Sequence, residues 1–127
     1  MKKSDKTRVL IVEDEPLIAL GLDDLLVDSG YEVAGVAGKL RDALAIVELG
    51  GFDAAILDAN LAGVSAGPVG AALTARGLPY LVLSGYSSKQ QVGAFPGAAR
   101  FLQKPCVPEH LIDALNKILP PSAENAR

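Results

Sequence analysis

A short apolar run that ends in an aspartate constrains the fold of this chain most. Residues 52–57 read Phe-Asp-Ala-Ala-Ile-Leu, Asp58 follows directly, and Gly50, Gly51 and Gly63 bound the stretch. Such a run between turn residues is typical of a strand that is buried on both faces, as parallel sheets require. Because ligands of open α/β sheets bind just beyond the carboxyl ends of strands, Asp58 is a candidate functional residue. Taken alone, the stretch leaves an ordinary turn or helix-cap aspartate as an alternative.

Four more apolar runs recur along the chain, and helical patterns separate them. The other predicted strands are Arg8–Val12, Glu32–Ala37, 78–84 and Arg100–Gln103, and the second of these is less apolar, as expected at a sheet edge. Helices are predicted from about Pro16, Leu40, Ser65 and Pro108, with a short, poorly stabilised helical segment within residues 85–99. This alternation predicts an α/β doubly wound fold, in which right-handed crossovers build a five-stranded parallel sheet with helices on both faces.

Length and composition predict one domain from residue 8 to residue 119, with short flexible termini at 1–7 and 120–127. No apolar run approaches the ~20 residues that span a bilayer, and no signal-peptide core follows the basic start, so we expect a cytoplasmic protein. The net charge of -3, without a cluster of Lys and Arg, gives no electrostatic footprint for nucleic acid. The single Cys106 predicts neither an internal disulfide nor a zinc site. The expected partner is therefore another protein or a small ion.

Acidic residues follow the first strand as well as the third. Glu13 and Asp14 come directly after Val12, and the carboxyl ends of these two strands should lie side by side, close to Asp58. Three carboxylates at one edge repel one another, and a hard divalent cation such as Mg²⁺ would relieve that repulsion. The backbone carbonyl of Asn60, two residues beyond Asp58, is a candidate for a further oxygen ligand.

The fourth and fifth predicted strands end in a hydroxyl and a cation, Ser84 and Lys104. Carboxylates accept phosphoryl groups as aspartyl phosphates, and such a transfer needs mainly positioning and charge neutralisation, which Mg²⁺ and Lys104 could supply. Alone, each of these residues is more often an ordinary turn residue. Because polar groups follow four of the five predicted strands at the same edge, we favour a shared site.

This ordered set resembles a known family. The run Val-Glu-Asp-Glu-Pro at residues 12–16, the lone Asp58, Ser84 and the Lys-Pro pair at 104–105 resemble the receiver domain of bacterial two-component response regulators. The resemblance covers roughly residues 8–119. It implies a flavodoxin-like fold with strand order 2-1-3-4-5.

The resemblance implies a role for each matching residue. Asp58 would be the phosphoacceptor, Asp14 would ligate Mg²⁺ directly, and Glu13 would do so through water. Ser84 would hold a phosphoryl oxygen, and Lys104 would bridge to the phosphoryl group.

An aromatic position and one further segment extend the resemblance. Phe101, three residues before Lys104, lies where many receivers carry a switch aromatic, although a core phenylalanine on an edge strand explains it equally well. Residues 79–86, Pro-Tyr-Leu-Val-Leu-Ser-Gly-Tyr, are similar to a Pro-Phe-x-Phe-Ala-Thr-Gly-Tyr pattern in a subgroup of stand-alone receivers, some of which serve stress-response phosphorelays. Ser84 replaces the Thr of that pattern and loses a methyl group, so we expect a looser switch. Whether Phe101 or Tyr86 is the switch aromatic stays open.

By this resemblance the chain is a signalling switch rather than an enzyme. A histidine kinase or histidine phosphotransferase would donate the phosphoryl group to Asp58. The face built from the fourth helix, fifth strand and fifth helix would then act on a downstream protein, or the phosphoryl group would be passed on. We expect a stand-alone regulator, monomeric or weakly dimeric, because the chain ends soon after the last predicted helix. His110 on that helix is expected to face solvent.

Three other functions are weighed against this one. A phosphatase with an aspartate nucleophile would carry a second aspartate where this chain has Asn60, whose amide cannot shuttle a proton at neutral pH. A flavin- or nucleotide-binding module would need a phosphate-binding loop after the first strand, where residues 13–15 are all acidic. A degenerate receiver that binds partners without phosphorylation stays open, although every group needed for phosphorylation is present.

Overall fold

The computed structural model describes residues 6–85 and 93–119. The strands found there are β1 (Arg8–Val12), β2 (Glu32–Ala37), β3 (Ala54–Asp58), β4 (Asn60–Leu61), β5 (Val64–Ser65), β6 (Tyr80–Ser84) and β7 (Arg100–Gln103). The helices are α1 (Pro16–Asp28), α2 (Leu40–Leu49), α3 (Gly67–Ala75) and α4 (Pro108–Ile118).

Five of the strands form one parallel sheet in the order β2-β1-β3-β6-β7. With the short β4–β5 hairpin set aside, this is the expected order 2-1-3-4-5, so the flavodoxin-like α/β fold is confirmed. The less apolar β2 lies at an edge, as predicted. Val12 pairs with Leu57, and Asp58 pairs with Leu83, so the carboxyl ends of β1, β3 and β6 lie at one edge of the sheet.

Both faces of the sheet are covered. Every residue of β3 and β6 is buried, which confirms the expectation for the run before Asp58. Side chains alternate between the two faces, so Leu10 and Val12 pack in a core with α2 and α3, whereas Val9 and Ile11 pack in a second core with α1 and α4. Burying a side chain such as Leu26 contributes about 2 kcal/mol, so these two cores hold the helices against the sheet.

The ends of α1 and α4 follow the sequence signals. Pro16 and Pro108 occupy the first turns of the two helices, where a missing amide is tolerated. Gly30, with a φ of 93°, follows α1 in the left-handed conformation that favours glycine. In α4, Glu109 in the first turn and Lys117 in the last complement the helix dipole.

The structure departs from the expected pattern in the segment after β3. Helix α3 begins at Gly67 rather than Ser65, because the β4–β5 hairpin occupies the preceding residues. The hairpin turns through Ala62 and Gly63, whose φ values of 53° and 90° are both positive, as a two-residue hairpin turn of this hand requires. An alanine in this conformation is unfavourable by about 1 kcal/mol, and the paired strands must offset that cost.

Several expectations concern residues that the structure does not describe. Tyr86 and about half of the predicted fourth helical segment belong to residues 86–92, and most of the expected flexible termini belong to 1–5 and 120–127. The described remainder of that segment, residues 93–99, forms turns. No helix in the described ranges combines the length and apolar character that crossing a bilayer demands.

Candidate functional site

The residues singled out in the sequence meet at the carboxyl edge of the sheet. Glu13, Asp14 and Asp58 each place one carboxylate oxygen within 4.8 Å of the others. Lys104 joins them, with its Nζ 3.1 Å from Asp58 Oδ2 and 3.8 Å from Glu13 Oε1. The sheet thus gathers three acids and one cation into a single pocket.

The turn between β1 and α1 fixes the two acids of the first strand. Glu13 extends β1, since its N–H donates a hydrogen bond to the carbonyl of Ala37 at 2.9 Å. Its side-chain Oε2 then accepts the N–H of Glu15 at 3.1 Å. Pro16 begins α1 two residues after Asp14, so β1 ends at this acidic turn. This arrangement holds the Glu13 carboxylate inside the pocket and leaves Asp14 half-buried.

Burial dominates the electrostatics of Glu13, which is 2% exposed. Removal from water raises the pKa of this carboxyl from 4.5 to about 7. The hydrogen bond from Glu15 and the charge of Lys104 oppose this rise, whereas the charges of Asp58 and Asp14 add to it. At neutral pH, Glu13 therefore lies close to the midpoint of its titration.

The pocket has the properties of a cation site. Glu13 Oε1 is buried and receives no hydrogen bond from the residues that the structure describes, and 3.8 Å is too long for a hydrogen bond from Lys104. A buried acceptor without a partner is costly, and one ammonium group cannot neutralise three carboxylates. Carboxylate oxygens in such a cluster are the ligands that Mg²⁺ and Ca²⁺ take. The cluster of Glu13, Asp14 and Asp58 could therefore bind a divalent ion.

The loop after Asp58 is held by its own hydrogen bonds. Asn60 N–H lies 3.4 Å from Asp58 Oδ1, and the Asn60 side chain accepts the N–H of Gly63 at 2.6 Å. The amide group of Asn60 therefore serves the hairpin, and its backbone carbonyl stays the candidate ligand. Ala66 N–H closes the loop onto the carbonyl of Ala59 at 3.0 Å. Sequence reasoning missed this hairpin, because Gly63 favours a turn there but Ala62 is not a residue typical of a two-residue hairpin turn.

Ser84 and Lys104 are linked through the backbone. Ser84 is buried and ends β6, one residue beyond Leu83, which pairs with Asp58. Its carbonyl accepts the N–H of Lys104 at 2.8 Å, and the peptide bond between Lys104 and Pro105 is cis. Lys104 is thus tied to the end of β6 while its side chain reaches across to β3.

The two remaining candidates lie outside the pocket. Phe101, on β7, is half-buried and meets the buried ring of Phe95 edge to face, with centroids 6.5 Å apart and an interplanar angle of 71°. It therefore packs against the core, three residues before Lys104. This placement is compatible both with a switch aromatic and with an ordinary core phenylalanine. His110 is exposed on α4, as expected from the sequence.

Comparison with known proteins gives matches over nearly the whole described chain. The family model of the response regulator receiver domain matches residues 9–116. The transcriptional regulatory protein PdtaR of Mycobacterium tuberculosis is 35% identical over 113 residues, which cover 85% of this chain and 54% of that protein. The phyllosphere-induced regulator PhyR of Methylorubrum extorquens is 32% identical over 116 residues, which cover 89% and 43%. The chain spans about half the length of the curated relatives it matches.

A solved structure supports the same assignment. The response regulator protein TrrA of Thermotoga maritima, crystallised in complex with Mg²⁺-BeF, superposes with a TM-score of 0.79 at 27% identity, covering 89% of this chain and 99% of that one. The family match spans most of the sequence and agrees with the strand order of the sheet. The chain therefore belongs to the response regulator receiver domain family.

Proposed function

We propose that this receiver domain accepts a phosphoryl group on Asp58 from a histidine kinase or a histidine phosphotransferase. One observation carries the proposal: the ammonium group of Lys104 lies 3.1 Å from the Asp58 carboxylate, beside the carboxylates of Glu13 and Asp14. Such a site combines a nucleophile, a fixed cation and ligands for a metal ion. The regulatory names of PdtaR and PhyR support a role in signalling.

The transfer is a substitution at phosphorus. A carboxylate oxygen of Asp58 attacks the phosphorus of a phosphohistidine, a P–O bond forms, and the P–N bond breaks. The imidazole leaves with the electron pair and takes up a proton. Lys104 neutralises part of the charge on the transferred group. When bound, Mg²⁺ supplies further charge neutralisation, and Asp14, Asp58 and the Asn60 carbonyl would hold it directly, with Glu13 acting through water.

Phosphorylation changes the contacts of Lys104 and Ser84. The new phosphoryl oxygens occupy the space in which Lys104 now contacts the Asp58 carboxylate, so Lys104 turns to one of them and the Ser84 hydroxyl donates to another. Because the backbone of Lys104 is bonded to Ser84, and β7 pairs with β6, the shift passes to β7 and to Phe101. The signal then leaves through the surface of β7 and α4, or the phosphoryl group is passed on.

The proposed chemistry is limited to gain and loss of the chain's own phosphoryl group. Turnover as a phosphatase would require a proton-transfer group two residues beyond Asp58, and the Asn60 side chain there is an amide already bonded to Gly63. We therefore favour a switch over an enzyme.

Labelling with a small phosphodonor tests the proposal. Incubation with acetyl phosphate and Mg²⁺ should add one acid-stable, base-labile phosphoryl group, seen by intact-protein mass spectrometry. Asp58→Asn should abolish the label, whereas Asp53→Asn, at an exposed aspartate of the opposite edge, should retain it. A label that survives Asp58→Asn would move the nucleophile elsewhere, and an unlabelled wild-type chain would favour the degenerate receiver.

A further inference from the structure

The outer side of β2, here called the β2 edge, has no partner strand among the residues that the structure describes, because β2 is the first strand in the order of the sheet. The N–H of Glu32 and the carbonyl of Ala37 are hydrogen-bonded to residues that flank β1, each at 2.9 Å. Since the backbone groups of successive residues alternate in direction along a strand, Val33 and Val36 turn theirs away from β1. Such an edge is a template for pairing with another strand.

The spacing of these outward residues restricts what can pair with the β2 edge. The register of β2 against β1 shifts by one residue at Ala34, as in a β-bulge. Val33 and Val36 are therefore three positions apart, whereas the outward groups of a regular strand repeat every two residues. A second copy of β2 that runs antiparallel has the same spacing, so Val33 of each copy can lie opposite Val36 of the other. The strand contains neither lysine nor proline, the residues that commonly prevent such pairing.

Exposed apolar side chains border the β2 edge on the α1 side of the sheet. Leu20 and Val27 of α1 are 57% and 52% exposed, and Val36 is 46% exposed. Leu20 and Val27 are two turns apart on the flank of α1 that points away from α4, so they lie on the β2 side of the helix. Val36 points to the α1 side, because the next residue, Ala37, packs with α2 on the other side.

Charges of opposite sign lie at the two ends of the β2 edge. Asp28, which ends α1, is exposed near the start of β2, and Glu32 contacts Arg8 yet keeps 41% of its side chain exposed. Lys39 and Arg41 are exposed just beyond the end of β2. An antiparallel second copy would bring the basic end of one edge to the acidic end of the other, twice per pair, whereas a parallel arrangement would bring like charges together.

We propose that two copies of this chain associate through the β2 edge, so that their sheets join into one across a two-fold axis. Val33 of each copy pairs with Val36 of the other, and Leu20 of each α1 lies near Val27 of the other. Asp23, half-buried on the same flank of α1, lies near its own counterpart at the axis, and this repulsion keeps the association weak. Strand β7 is at the opposite end of the sheet and stays exposed, so the dimer presents two copies of that surface.

Sedimentation equilibrium of two matched variants tests the association, over chain concentrations from about 10 μM to about 1 mM. Val36→Lys places a charge on the β2 edge and should weaken dimerisation at least about tenfold. Val64→Lys makes the same change at a valine of similar exposure, 48%, on β5 and should leave dimerisation unchanged. Hydrogen exchange at the backbone amides of Val33 and Val36 should slow as the wild-type concentration rises.

Mixing two charge-reversal variants separates docking from folding. Glu32→Lys and Lys39→Glu each bring like charges together at both ends of the edge, so each variant alone should dimerise at least about tenfold more weakly than the wild type. In an equimolar mixture each contact again joins opposite charges, so association should return to near the wild-type level. A folding defect in either variant would not be corrected by mixing.

Four results would overturn the proposal. These are a wild-type chain that stays monomeric at about 1 mM, Val36→Lys that dimerises as tightly as the wild type, a mixture that associates no better than its components, and a dimer whose slowed amide exchange maps to β7 and α4 instead of β2. The association needs no phosphorylation, so labelling with acetyl phosphate tests the proposed function separately.

Discussion

The two edges of the sheet carry similar residues in different surroundings. At the amino edge, the backbone N–H of Arg8 donates a hydrogen bond to Asp53 Oδ2 at 2.8 Å. The guanidinium of Arg8 donates a second hydrogen bond to the carbonyl of Gly51 at 2.7 Å. Arg8 Nε also lies 3.8 Å from Glu32 Oε1, and these two side chains are 42% and 41% exposed. At the carboxyl edge, Glu13 and Asp58 are buried, and Lys104 faces both.

Both edges contain acids beside a cation, so residue type does not distinguish them. Burial of the acids distinguishes the pocket around Lys104 from the structural contacts of Arg8. Water screens the charges around Arg8, so they act mainly to fasten strand ends. Burial of the acids around Lys104, by contrast, raises the pKa of Glu13 to about 7. Strongly perturbed groups in such a pocket are typical of functional sites.

The largest effect that should separate the two edges is the pH dependence of stability. The folded chain keeps the Glu13 proton up to about pH 7, whereas the unfolded chain loses it near pH 4.5. The native state therefore binds more protons in this window, and the free energy of unfolding should fall as pH rises through it, by about 3 kcal/mol at most. Urea titrations in the presence of EDTA measure this slope.

Two matched variants assign the slope to one edge. Glu13→Gln removes the titrating group and should flatten the curve between pH 4.5 and 7. Glu32→Gln, at the amino edge, should leave the wild-type slope in place. A slope that persists in Glu13→Gln would show that another group dominates the pH dependence.

Removing the cation from each edge should give the next largest contrast. Lys104→Met leaves the buried Asp58 carboxylate without its countercharge and should lower the free energy of unfolding by about 2 kcal/mol at neutral pH. Arg8→Met, the same change at the solvent-exposed edge, should cost less than about 1 kcal/mol. Chemical denaturation of both variants without metal makes the comparison, and equal losses would contradict the distinction between the edges.

The effect of Mg²⁺ should be smaller and confined to the carboxyl edge. At about ten times its dissociation constant the ion should add ~1.4 kcal/mol, which raises the melting temperature by a few degrees. Asp14→Asn should lose most of this rise, whereas Asp53→Asn should keep it. A melting curve indifferent to millimolar Mg²⁺ would count against the metal site.

Much of this architecture could be predicted from local patterns. The bounds of β1, β2 and β7 were predicted to the residue, because short runs of strand-forming residues end there at acids, glycines or the Lys-Pro pair. The convergence of Asp58, Glu13 and Lys104 followed from parallel order alone, since that order brings strand ends to one edge.

What could not be predicted depends on contacts distant in sequence. The β4–β5 hairpin has strands of only two residues, too short to show any periodicity. Ile18 lies at helical spacing from the buried Leu22 on α1, yet Ile18 is 37% exposed because it borders an open groove between α1 and α4. The burial that raises the pKa of Glu13 likewise arises only when the sheet edge is assembled.

The central claim is that Asp58 carries the phosphoryl group, and mapping the modified residue tests it most directly. Borohydride reduces an acyl phosphate to an alcohol, so phosphorylated aspartate becomes homoserine. After treatment with acetyl phosphate and Mg²⁺, the tryptic peptide of residues 42–76 should contain homoserine at position 58, while Asp42 and Asp53 of the same peptide stay unchanged. Homoserine at Asp14, at any other residue, or at none would contradict the account.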